Sequence, residues 1–403
     1  MITEEEAVAR VLDGVPGGAV ETVSLEEAEG RWAAEAVVAT VALPGFDNSA
    51  MDGYAIHAAD CGQTGRWLEV AGEMPAGRAV AVGDEAAMAA GPGRAIRLFT
   101  GAPIPPGAAA VVMQEDVEVD AVTALIRLTE AAAPGEFIRR RGADVCEGQK
   151  LLGPGDRLNP QRIGLLASQG RAAVAVTTRP RVRVLTTGDE LVPAGQPLPH
   201  AAALYNSNGP MLAALARRCD AAASAGHAPD DLAALTAALQ RALEQSDIVV
   251  LAGGVSVGRH DYVKPALAAL GWKPDLWRVA VKPGKPFLFA AREGKCVFGL
   301  PGNPVSAFVT FHLFVAPALR KWQGALAAEW PVPAVVATLA AAVANAGDRP
   351  HYLRGALEPG GVFQPGGLQE SHALFSLSRA TALLRVPSAT AWAAGRAVVV
   401  HPL

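Results

Sequence analysis

The stretch Ile248-Val-Val-Leu-Ala252, running into Gly253-Gly-Val-Ser-Val-Gly258, decides the fold. Five consecutive apolar residues without alternation describe a strand buried on both faces, as in a parallel sheet. The glycines that follow let a backbone pass close to a ligand without Cβ obstruction. Upstream, Asp230 suits the N-cap of a helix whose Leu232, Leu235, Leu239 and Leu243 form one buried stripe. Downstream, Val263, Ala266, Leu267 and Leu270 recur at i, i+3, i+4 and i+7 of another helix.

The same alternation continues in both directions. Residues 181–186 alternate as a strand and end at Thr187-Gly-Asp-Glu190, and residues 206–218 carry Leu212, Leu215 and Ala216 on one helical face. Cys296-Val-Phe-Gly-Leu300 is a further strand, after which Asn303 suits an N-cap and Pro304 the first position of a helix running through Phe308 and Leu313. Strands alternating with helices predict a central three-layer α/β domain with a mostly parallel sheet.

The flanks differ in character. Residues 1–43 hold two helical patterns, at 4–12 and 25–37, the first opened by the capping-box sequence Thr3-Glu-Glu-Glu6. Residues 44–133 are rich in Gly and Pro with β-like runs at 109–113 and 125–128, and residues 326–403 show short alternating runs at 334–339 and 397–400. Small β-rich modules are expected on either side of the α/β domain.

Composition narrows the function classes. Of 403 residues, 51% are hydrophobic and 18% charged, against roughly 25% charged in average soluble chains, so the chain is not intrinsically disordered. Thirty-five basic residues against thirty-nine acidic give a net charge of −4, which offers no general electrostatics for nucleic acid. Cys61, Cys146, Cys219 and Cys296 are widely separated, with neither CxxC nor a Cys/His cluster, so a reduced, cytoplasmic chain is the natural reading. The segment 296–319 lacks charged residues but is interrupted by Pro301, Gly302, Pro304 and Pro317, well short of the roughly 20 continuous apolar residues a membrane span needs.

In an open α/β sheet, ligands bind beyond the carboxyl ends of the strands. Three loops belong there: 186–190 with hydroxyls and carboxylates, 253–258 with glycines, and 300–306 opening a helix. Lys282-Pro-Gly-Lys285 reads as a type II turn, bringing its two lysines within about 7 Å at Cα. Two ammoniums at that distance repel by roughly 0.6 to 2.4 kcal/mol, and a bound anion reverses the sign. Arg139-Arg-Arg-Gly142 offers guanidinium forks suited to phosphate or carboxylate. Asp52, Asp144, Glu190, Asp230 and Asp261 fall in loops or at helix starts, where oxygen ligands for Mg²⁺ need no tight spacing. No HxH, HExxH, GxSxG or Walker A motif is present.

Eight segments stand in order: Pro44-Gly-Phe-Asp-Asn-Ser-Ala-Met-Asp52-Gly-Tyr54, Thr100-Gly-Ala-Pro103, Arg139-Arg-Arg-Gly142, Thr187-Gly-Asp-Glu190, Gly253-Gly-Val-Ser-Val-Gly258, Asp261-Tyr-Val-Lys264, Lys282-Pro-Gly-Lys-Pro286 and Leu300-Pro-Gly-Asn-Pro304. With them the chain closely resembles the molybdopterin molybdenumtransferase family, to which gephyrin is related, over nearly its whole length. The resemblance implies insertion of molybdate into adenylylated molybdopterin, with Mg²⁺-dependent cleavage of the phosphoanhydride and release of AMP. It implies four domains: an elongated N-terminal domain (1–43 plus 134–173), an inserted β domain (44–133), an α/β molybdopterin-binding domain (174–325) and a C-terminal β barrel (326–403). A cytoplasmic homodimer, with a molybdopterin adenylyltransferase as partner protein, is implied as well.

By position, the resemblance assigns catalysis to Asp52, Thr100, Glu190 and Asp261, and Mg²⁺ to Asp52, Glu190 and Asp261; Asp230, a loop carboxylate, is expected to act with them on Mg²⁺ and the attacking water. It assigns substrate binding to Arg139, Arg140, Asp144, Thr187, Gly253, Gly254, Ser256, Lys264, Lys282, Lys285, Pro301, Ser306, Arg354 and Ser371. Lys282, Lys285, Arg354 and Ser371 are the expected molybdate end. The chain departs from the family pattern where Gln369-Glu370 precede Ser371, a place where glycine is common. A non-catalytic scaffold and a nucleotide pyrophosphatase or adenylyltransferase are the competing readings; the clustered acidic and basic loop residues speak against the first, and the flanking β modules against the second.

Overall fold

The computed structural model describes residues 1–78, 85–255 and 262–403. The chain forms two units, one of Met1–Glu35 with Gly153–Leu403 and one of Ala36–Leu152. The larger unit contains the predicted α/β domain. Its elements, in chain order, are β1 (Arg181–Thr187), α1 (Asn208–Arg218), β2 (Ala222–Ala228), α2 (Leu232–Gln245), β3 (Ile248–Ala252), α3 (Val263–Ala269), β4 (Asp275–Arg278), β5 (Pro286–Arg292), β6 (Lys295–Leu300) and α4 (Pro304–Thr310). Strand order is β2-β1-β3-β6-β5-β4. The first four strands are mutually parallel, and β5 and β4 add an antiparallel edge.

The five apolar residues of β3 explain the three layers. Ile248, Val250 and Ala252 join a core with Leu212 and Ala216 of α1 and Val305 and Val309 of α4. Val249 and Leu251 join a second core with Leu235 and Leu239 of α2 and Val263 and Leu267 of α3. Both faces of the strand are therefore dry, and each large aliphatic side chain so buried contributes roughly 1.5 to 3 kcal/mol. The helix expected through Leu313 changes pitch: α4 gives way to a π-helical turn, Phe311–Val315, before a last helix, Ala316–Trp322. Pro317 has no N–H to offer the carbonyl of Leu313, so regular α hydrogen bonding cannot run through this point.

The N-terminal helix, Glu4–Gly14, is capped as expected, with Thr3 Oγ1 accepting from Glu6 N at 3.1 Å. The helix expected at 25–37 does not form. Only Leu25–Glu27 makes a 3-10 turn; Gly30 N donates to Leu158 O at 2.8 Å and Ala33 N to Asp156 O at 2.9 Å. Here long-range pairing of the backbone overrides the helix propensity of alanine and glutamate. At the C-terminus β7 (Val335–Leu339), β8 (His351–Glu358), β9 (Val362–Pro365), β10 (Ala382–Val386) and β11 (Ala397–Pro402) close a barrel in the order β7-β9-β8-β10-β11, filled by Leu353, Phe363, Leu384 and Val400.

The smaller unit is built on a six-stranded sheet ordered Ala108–Met113, Gly53–His57, Arg94–Leu98, Trp67–Met74, Leu125–Leu128 and Val117–Asp120. Ile56, Leu68, Val112 and Ile126 lie at its core.

Candidate active site

Strand order turns at β1. The chain leaves β1 through α1 to β2 on one side, then returns through α2 to β3 on the other. A gap opens above the carboxyl ends of β1 and β3, which is where open α/β sheets receive ligands. A cleft of ≈ 960 Å³ occupies this place and extends to the barrel. Its floor includes Thr187, Glu190, Gly253 and Gly254. Gly253 has φ +100°, and a Cβ there would meet Thr187 O at 2.8 Å, so glycine is what lets the ends of β3 and β1 approach.

One wall is polar and acidic. Asn206 Nδ2 donates to Thr186 Oγ1 at 2.7 Å and its Oδ1 accepts from Gly209 N at 3.0 Å, fixing the start of α1. Asn208 Nδ2 donates to Gly302 O at 2.6 Å, tying α1 to the loop after β6. At the end of β2, Asp230 N donates to Asp189 Oδ1 at 2.9 Å. Asp230 is not the helix cap that its position suggests. Asp231 takes that role, accepting from Ala234 N at 2.8 Å, because α2 begins one residue later. The Asp230 carboxyl, left free to line the cleft, is pushed above its ordinary pKa by burial first and then by the carboxylates of Asp189 and Glu190.

The opposite wall is cationic. Lys282 and Lys285 both line the cleft, joined by Arg349. Lys282-Pro283 is a cis peptide and Gly284 has φ +120°, so the expected type II turn is replaced by a wider loop closed by Val279 N donating to Lys285 O at 2.8 Å. That loop is zipped to the start of β8: Lys282 N donates to Pro350 O at 2.9 Å, Tyr352 N to Lys282 O at 2.8 Å, and Arg349 Nη1 to Val281 O at 3.1 Å. Nearby, His351 is pushed down to about 4 by burial first, then by the charges of Lys282, Arg354 and Arg349. Three cations thus concentrate on one small surface.

Ser306 is buried on α4, and Ser371 accepts from Asn303 Nδ2 at 3.0 Å; Pro301, Ser306 and Ser371 all line the cleft. Arg354 does not. It is completely buried under residues 368–370, its Nη2 donating to Leu368 O and, at 3.2 Å, to Glu370 O, while Nε and Nη1 have no partner among the described residues. Lys264 is exposed on α3 and is not among the residues that line the cleft. Ser256 and Asp261 lie outside the described residues.

The remaining expected residues belong to the smaller unit. Asp52 accepts from Thr100 N at 2.7 Å and Thr100 Oγ1 at 2.8 Å, and these bonds, the backbone one foremost, hold its carboxyl below the usual range. Arg140 pairs with Asp47 at 2.7 Å, Arg139 donates to Ala50 O at 3.4 Å, and the exposed Asp144 donates its backbone N–H to Leu43 O at 2.9 Å. Reading the sequence alone missed Asn206, Asn208, Arg349 and Gln369. Asn206-Ser-Asn208-Gly at the start of a helix is cap grammar that marks the first two; nothing local distinguishes Arg349.

Three family descriptions match: MoeA N-terminal region (domain I and II) over residues 2–170, probable molybdopterin binding domain over 183–321, and MoeA C-terminal region (domain IV) over 336–403. The chain is similar to the molybdopterin molybdenumtransferase of Haemophilus influenzae, at 39% identity covering 80% of this chain and 78% of that one. It is also similar to molybdopterin molybdenumtransferase 2 of Mycobacterium tuberculosis, at 38% identity covering 91% and 90%. The crystal structure of the molybdopterin biosynthesis MoeA protein of Pyrococcus horikoshii superimposes with a TM-score of 0.84 at 30% identity, covering 100% of both chains.

Proposed function

The chain belongs to the molybdopterin molybdenumtransferase family, and we propose that its cleft inserts molybdate into adenylylated molybdopterin, cleaving the phosphoanhydride and releasing AMP. The observation that carries this reading is one cleft with carboxylates at the end of β2 and cations beside β8. Such a site accepts a polyanion and a second oxyanion together without Cys or His ligands.

At the cationic end, Lys282, Lys285 and Arg349 would hold molybdate, with the hydroxyls of Ser306 and Ser371 as donors. Arg354 lies outside the cleft lining, completely buried under residues 368–370; it would serve this end by holding that segment, and Ser371 with it, in place. Thr187, Gly253 and Gly254 form the floor on which the organic substrate lies.

At the acidic end, no group of three His, Cys, Asp or Glu among the described residues could hold a metal ion by itself, so Mg²⁺ there would depend on substrate phosphate oxygens as well. Asp189, Glu190 and Asp230 are hard oxygen donors close enough for their charges to repel, and Mg²⁺ commonly takes one or two carboxylates together with substrate phosphates. Glu190 would hold it, with Asp261 as a further ligand the resemblance suggests. Bound there, the ion would neutralise phosphate charge as the anhydride breaks, the main requirement of phosphoryl chemistry. Asp230, more basic than an ordinary carboxylate, would take the proton of the attacking water. The same reading includes a cytoplasmic homodimer of four-domain subunits, a role for Thr100, Arg139, Arg140, Asp144, Ser256 and Lys264 in substrate binding, and a molybdopterin adenylyltransferase as supplier.

The test is AMP release from adenylylated molybdopterin with and without molybdate. The double variant Lys282→Ala, Lys285→Ala should lose molybdate-dependent release by at least about 10²-fold while melting like the wild type. Release at the wild-type rate from that variant would overturn the assignment.

A further inference from the structure

Gln369 makes more main-chain contacts than a surface glutamine needs. Its Oε1 accepts from Arg354 N at 2.9 Å, and its Nε2 donates to Arg354 O at 2.9 Å and to Gly366 O at 2.7 Å. The carboxamide therefore pairs with β8 as a neighbouring strand would, using its acceptor and both donors. Arg354 returns the contact through Nη2 to Leu368 O and Glu370 O.

Residues 366–371 thus form a strap. It starts at Gly366-Gly367, with Gly367 at φ +69°, and has little stiffness of its own. Its far end is Ser371, whose Oγ accepts from Asn303 Nδ2 at 3.0 Å and whose carbonyl accepts from Val305 N at 3.1 Å. One end grips the barrel and the other the α/β domain, with Gln369 at the midpoint.

We infer that Gln369 is a positioning residue for the oxyanion, locking the strap to β8 so that Ser371 is held beside the cationic wall for a tetrahedral dianion. This rests on the reading of the cationic end given above. Gln369 lines the cleft, but its carboxamide is fully engaged by Arg354 and Gly366, so its effect passes through Ser371. Without its amide, the strap is left tied to Arg354 only by Gly366 N donating to Arg354 O at 3.1 Å and by the Nη2 contacts to residues 368 and 370. The organic substrate rests on the floor formed by Thr187, Gly253 and Gly254, which Gln369 does not contact.

The experiment compares wild type with Gln369→Ala, and with Gln369→Glu, which keeps the acceptor for Arg354 N but has no donors. Tungstate alone is titrated calorimetrically, and AMP release is followed at varied molybdate and varied adenylylated molybdopterin. Gln369→Ala should raise the tungstate Kd and the half-saturating molybdate concentration at least tenfold, leaving KM for the organic substrate within twofold. Tungstate affinity within twofold of wild type, or an equal rise in both constants, overturns the inference. Should Gln369→Ala fail to fold, Gln369→Glu is held to the same criteria. A wild type that neither binds tungstate nor releases AMP would instead remove the functional reading, a result distinct from an unchanged variant of an oxyanion-binding wild type.

Discussion

Asp230 and Asp231 are chemically identical neighbours separated by one backbone step, and that step divides their roles. Asp231 accepts from Ala234 N and stabilises the first turn of α2, whereas Asp230 faces the cleft with a carboxyl whose charge is disfavoured by burial and by Asp189 and Glu190. Because its folded pKa is raised, the stabilising protonated form is complete below the ordinary carboxylate pKa. That stability is lost as pH rises through the folded value. At neutral pH the protein therefore carries a small penalty at this residue. Asp230→Asn should raise Tm at pH 7, by on the order of a degree, with the gain fading towards pH 4, while kcat falls about 10²-fold. Melting and turnover measured on the same variant check this; a Tm gain that persists at pH 4 would contradict the electrostatic cause. The sequence signal for this pair was ambiguous, since either aspartate satisfies the grammar of a helix cap and only the start of α2 separates them.

Elements were legible where their pattern was self-sufficient. β3 could be recognised because an uninterrupted apolar run has one stable environment, and α2 because its leucine stripe has one period. The segment 25–37 misled because its alanines and glutamates favour helix locally while its hydrogen-bond partners, Leu158 and Asp156, lie more than a hundred residues away. The strap was invisible for the same reason: its pairing with β8 runs through a side chain. The glycine loop after β3 is the element on which the cleft floor depends. Gly253→Ala places a Cβ 2.8 Å from Thr187 O at φ +100°, a conformation that costs an ordinary residue about 1–3 kcal/mol. Denaturant titration should show that loss, and KM for the organic substrate should rise as β1 and β3 are forced apart. Unchanged stability would mean that the loop relaxes freely and does not define the floor.

For the molecule as a whole, a net charge of −4 conceals a cleft of two signs. Its acidic end was partly readable from loop aspartates. Its cationic end was only partly readable, because Arg349 comes from the loop before β8, joined to Lys282 by the fold alone. The larger unit also encloses two histidines that remain neutral when folded. His312, on the π-helical turn, is pushed down to about 3 by burial, and His351 to about 4 by burial and its cationic neighbours. Both are ordinary histidines near 6.5 once unfolded. Folded pKa values depressed in this way give stability that is complete above pH 6.5 and is lost as pH falls towards 4 and then 3. Tm should therefore decline below pH 6.5, before most carboxylates titrate, by an amount corresponding to on the order of a few kcal/mol at the lower end. His312 Nε2 has no hydrogen-bond partner among the described residues, and its ring stacks on Phe308, so His312→Leu orphans no polar group at that atom. That variant should flatten the decline between pH 6.5 and 4 while changing Tm little at pH 8. A profile parallel to wild type would place the acid sensitivity elsewhere and remove His312 from the account of it.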